Sequence, residues 1–137
     1  MTIPIKYLPA GKAGLLLLAL CCFHFSLPAQ QTTIDSLQNI LSAAKEDTNK
    51  VNTLNNLAWE FINAGEYEKS LNCANQASIL ADKINYKKGK AKSYHNIGNI
   101  YTYQGNYPQA LKTHFASLKI REEIGDKNGI EIGRAHV

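Results

Sequence analysis

Cysteine is scarce in this chain and poorly placed for cross-linking. There are three in 137 residues, and two of them, Cys21 and Cys22, are neighbours inside a short apolar run. Leu15–Phe25 is apolar except for His24, it follows the positive Lys6 and Lys12, and Leu27-Pro28-Ala29 then offers a small residue for cleavage before Gln30. That layout is expected of an export signal over residues 1–29. Its removal would leave Cys73 alone, so no disulfide framework is expected in the mature chain. The run is about a dozen residues, short of the roughly 20 that span a bilayer. An uncleaved anchor and a lipid-modified Cys21 or Cys22 are the alternatives, although Leu20 before Cys21 is not a small residue.

Neither sign of charge dominates. The chain has 15 basic and 11 acidic residues, a formal +4, and residues 30–130 carry 12 against 10. This is a mixed, solvated surface, and it argues against a nucleic-acid partner. The basic cluster Lys83, Lys87, Lys88, Lys90 and Lys92 reads as a soluble turn. Catalytic constellations are also missing. His95 and His114 fall on different expected helices with no Cys, Asp or Glu in metal-ligand spacing. No glycine-rich phosphate loop or serine elbow is present, and Glu66/Glu68 and Glu122/Glu123 read as helix-surface charges. The segment is therefore expected to have no cofactor, no metal and no enzymatic activity of its own.

What is present is repetition. Residues 51–90 and 91–130 align without a gap at an offset of forty: Asn56 on Asn96, Gly65 on Gly105, Tyr67 on Tyr107, Leu71 on Leu111, Ile84 on Ile124, Lys87 on Lys127 and Gly89 on Gly129. A period of this length marks a stacked array. Each copy reads as two helices. Leu54, Leu57, Ala58 and Phe61 form one apolar stripe at helical spacing. Gly65 and Gly105 end the first helices in the left-handed conformation. Leu71, Ala74, Ala77, Leu80, Ala81 and Ile84 follow on the second. Helices are expected near 51–63, 67–85, 91–104 and 107–125, the second of each pair stopped by the lysine–glycine turns at 87–89 and 127–129. A leading helix is expected from about Thr33, its N-cap, to Ala44, within a leading segment 30–50.

The quoted residues resemble the tetratricopeptide repeats, in a long-period form. Leu54, Leu57–Ala58, Phe61, Gly65, Tyr67, Ser70 and Ala77 follow the family pattern. So do Tyr94, Ile97–Gly98, Tyr101, Gly105, Tyr107, Ala110 and Ser117. The family's closing proline is replaced by Asp82 and Glu122. The resemblance implies an all-α solenoid of antiparallel helix hairpins in a right-handed stack, binding a protein or peptide. It also implies that first helices line a concave face. Residues off their packing stripe would then form the site: Asn52, Asn55, Trp59, Ile62 and Asn63 from one copy, and Lys92, His95, Asn99, Thr102 and Tyr103 from the other. Trp59 and Tyr103 are the expected apolar anchors.

The last seven residues, Glu131–Val137, leave the pattern. One possible coding of them matches the start of a common sequencing adapter. They are therefore expected to be a non-native tail with few contacts, on a fragment whose parent continues past residue 130. The leading expectation is an exported interaction module, periplasmic or extracellular. The alternative is the N-terminal sensory region of a bacterial membrane signalling enzyme (histidine kinase or cyclase) or of a transcriptional regulator.

Overall fold

A computed structural model describes residues 27–135. The chain is divided by its contacts into Met1–Thr32 and Thr33–Val137. Of the first unit, residues 27–32 open a helix. The expected export signal lies outside the described residues except for its last three positions.

The described residues form six α-helices: α1 Leu27–Ala43, α2 Thr48–Asn63, α3 Tyr67–Lys83, α4 Lys87–Tyr103, α5 Tyr107–Glu123 and α6 Lys127–Arg134. No strand occurs among them, so the chain is an all-α array of helix hairpins. Helix α5 lies forty residues after α3, and α1 lies forty before it. The leading helix thus has the register of a second helix of a repeat. It begins before Thr33, which sits inside it and is not its N-cap.

One turn design joins the helices from α2 onward. Gly65, Asn85, Gly105 and Gly125 all have positive φ, at 74°, 54°, 74° and 67°. In each case the next residue's N–H reaches back five residues: Glu66 to Phe61, Tyr86 to Ala81, Asn106 to Tyr101 and Asp126 to Arg121, at 2.7–2.9 Å. This pairing satisfies carbonyls that a helix end would otherwise leave bare. The positive-φ residues are twenty apart, so the junctions within and between hairpins are built alike. The expected lysine–glycine turns are corrected by this pattern. The second helices stop at Lys83 and Glu123, the chain reverses at Asn85 and Gly125, and Lys87-Lys88-Gly89 is already the first turn of α4. The junction into α2 differs: Asp47 Oδ1 accepts from the Asn49 and Lys50 N–H groups, at 2.9 and 3.0 Å.

The core lies between neighbouring helices. Ile34 of α1 joins Leu57, Phe61, Cys73, Ala74 and Ile97, with Leu37, Leu41, Leu71 and Tyr94 beside them. Val51, Leu54, Ala77, Leu80 and Ala81 form a second cluster. Short polar side chains close the gaps. Ser70 Oγ donates to the Ala58 carbonyl at 2.6 Å, and Ser117 Oγ to the Ala91 carbonyl at 2.7 Å.

Of the seven residues expected to form a tail with few contacts, the first four continue a helix. Helix α6 runs on through Arg134, and Gly133 is buried with Leu118 against it. Asp126 Oδ1 caps this helix by accepting from the Gly129 N–H at 3.3 Å. Arg121 Nη1 donates to the Gly129 carbonyl at 2.5 Å, and Arg134 approaches Glu122 at 3.8 Å. Gly133 packs close to α5, where an added Cβ would stand 3.2 Å from Leu118 Cδ1.

Candidate functional site

The first helices α2, α4 and α6 present side chains in register to one cleft of ≈ 880 Å³. Equivalent positions recur along it: Asn52, Lys92 and Ile132; Lys88 and Asn128; Asn56 and Asn96. Tyr86 borders one end, and Trp59 with Thr33 and Leu37 of α1 borders the other. An array that repeats every forty residues repeats its wall as well, so the cleft is a ladder with one rung per repeat.

Of the site residues expected from sequence, the structure brings Asn52, Trp59, Lys92 and His95 together here. Trp59 is 41% exposed, so its indole is only partly used in packing. The others lie elsewhere. Asn55 is fully buried, and its Nδ2 donates to the Gly89 carbonyl across the repeat interface at 3.1 Å. Asn96 Nδ2 in turn donates to the Asn55 carbonyl at 2.9 Å. Asn55 therefore locks α2 to α4 and is not a groove residue. Asn99 and Ile62 are also buried. Tyr103 is exposed but at the hairpin turn, stacked on Tyr67 with ring centroids 6.0 Å apart. Asn63 and Thr102 are exposed at the C-terminal ends of their helices, away from the cleft.

Residues not expected from sequence complete the wall: Asn56, Tyr86, Lys88 and Arg121. Asn56 and Lys88 carried a signal, since each shares a repeat register with another cleft residue. Arg121 carried none, because its counterpart in the first copy is Ala81.

The lysine cluster is not a loop. Lys83 pairs with Glu46, Lys87 with Glu123 at 3.4 Å, and Lys90 with Asp82 at 2.7 Å. Lys88 and Lys92 line the cleft, and no ion pair joins them among the described residues. Lys92 Nζ donates to Asn56 Oδ1 at 2.8 Å. Burial pulls the Lys92 pKa down, as expected of an ammonium partly out of water with no carboxylate beside it. Burial does the same to Arg121, with Asp126 opposing it. The remaining acid on the wall is Glu60, next to Trp59.

Among the described residues no group of three or more acidic, His or Cys side chains could hold a metal ion, and no helix is long and apolar enough to cross a membrane. His95 and His114 sit with ring centroids 5.4 Å apart. Burial pushes the Cys73 thiol pKa up, away from the thiolate that reactivity requires.

The fold defines the class, a helical-hairpin repeat protein. Residues 91–124 match the family model for the tetratricopeptide repeat, which supports a tetratricopeptide-repeat array. No curated protein matches it.

Proposed function

We propose that this chain is an exported binding module that holds an extended peptide segment of a partner protein in the cleft along α2, α4 and α6. The observation that carries the reading is the ladder of first-helix side chains with a half-exposed tryptophan at one end. Aromatics anchor interfaces out of proportion to their number, and amides bond to peptide backbone. Tetratricopeptide repeats typically serve as scaffolds for protein partners, which supports a binding role over a catalytic one. Export is inferred from Lys6, Lys12 and the apolar Leu15–Phe25 ahead of Ala29.

Trp59 is the sole tryptophan, so its emission reports on the cleft. A peptide array probed with the full chain should yield binders that shift this emission. Trp59→Ala should weaken them by about 2 kcal/mol, roughly thirtyfold. Binders unaffected by Trp59→Ala and silent in emission would place the site elsewhere.

A further inference from the structure

In this part of the cleft, internal bonds occupy the side-chain oxygens of Asn52 and Asn56 and leave their amide donors. Lysine can only donate, so the bond from Lys92 fixes Asn56 with its oxygen turned to the ammonium. Tyr86 Oη donates to Asn52 Oδ1 at 3.3 Å. The amide NH₂ groups of Asn52 and Asn56 remain, with the ammonium groups of Lys88 and Lys92, as donors facing one another across α2 and α4. Three neighbouring lysines have carboxylate partners, whereas these two have none among the described residues.

We infer that this end of the cleft takes a segment bearing two side-chain carboxylates two residues apart, one on Lys88 and one on Lys92, flanked by an apolar residue against Trp59. The inference rests on the reading that the cleft binds peptide. Lys88 and Lys92 are one helical turn apart on α4, a rise of about 6 Å. Alternate side chains of an extended strand share a face and are separated by about 6.7 Å, so the two spacings agree. Charge sorts along the cleft in the same sense. Lys88, Lys92 and Arg121 lie toward the N-terminal ends of the first helices, with Asp126 turned to the cap of α6, and Glu60 lies at the opposite end beside Trp59.

The test uses the full chain and Trp59 emission. The probes are a short acetylated and amidated peptide with two aspartates at alternate positions beside a leucine, its asparagine counterpart, and the asparagine peptide with a free C-terminus. The aspartate peptide should bind at least about tenfold more tightly than its asparagine counterpart. The preference should weaken with salt and largely vanish in Lys88→Gln/Lys92→Gln. It should persist in Lys83→Gln, whose partner Glu46 lies outside the cleft. Equal binding of the two blocked peptides, or a preference that survives the double substitution, would overturn the inference while leaving a peptide cleft in place. So would tighter binding of the free C-terminus, which would make a terminal carboxylate the ligand. If no peptide of any charge moves the Trp59 signal, the cleft reading falls with it.

Discussion

Gly98 and His114 occupy the places that Ala58 and Ala74 hold forty residues earlier. The pair has changed together: the His114 imidazole is buried over Gly98, where an added Cβ would stand 2.6 Å from Cε1 and 2.7 Å from Nδ1. Gly98→Ala removes a helix-interior glycine, a gain of about 1 kcal/mol. Overpacking a filled site costs about 1–3 kcal/mol. In the native background the substitution should therefore lower stability by about 1 kcal/mol in urea denaturation. In a His114→Ala background, which restores the small pair of the first repeat, the same change should raise it. A loss in both backgrounds would mean that something other than the imidazole fills the space. Sequence pattern exposed the small residue at 98 but not its partner. Asn55 was misread for a related reason. One apolar stripe accounts for one packed neighbour, but α2 is covered by α3 and also by α4, so residues off the stripe are buried too.

At the scale of the element, the glycines at 65 and 105 were legible because few residues take their conformation at low cost. Asn85 was not, because asparagine is also an ordinary helix-surface residue and the glycine of the neighbouring Lys-Lys-Gly drew the turn four residues too late. An added Cβ at Gly105 meets nothing within 4 Å, so backbone strain alone sets the cost of a substitution there. Gly105→Val should cost more than about 1 kcal/mol. Asn85→Gly, which relieves a φ of 54°, should stabilise by several tenths of a kcal/mol. Chemical denaturation of the two variants beside the native chain checks both signs. A neutral Gly105→Val would show that the turn tolerates another geometry.

Across the molecule, the forty-residue self-match carried the hairpins, their order and the all-helical character of the described residues. It did not carry α6 past Ile130, because Glu131–Val137 does not resemble the residues forty positions earlier and helix formation there depends on docking against α5. Truncation after Ile130 removes Gly133 from Leu118 and Arg134 from Glu122. It should cost about 1 kcal/mol and several degrees of melting temperature; an unchanged melting curve would return these residues to the status of a tail. The packing order has a further consequence for motion. Helices α3 and α4 are held on both sides, whereas α6 is flanked by α5 alone and α1 contacts its neighbours through a few side chains. Amide hydrogens should exchange slowest in the middle of the array and fastest at its two edges. The cleft draws wall residues from both of those edges, Thr33 and Leu37 on one side and Ile132 on the other. Its rims are therefore built from the most easily opened helices, and an occupant that spans them acts as a clasp, slowing exchange at the two edges together.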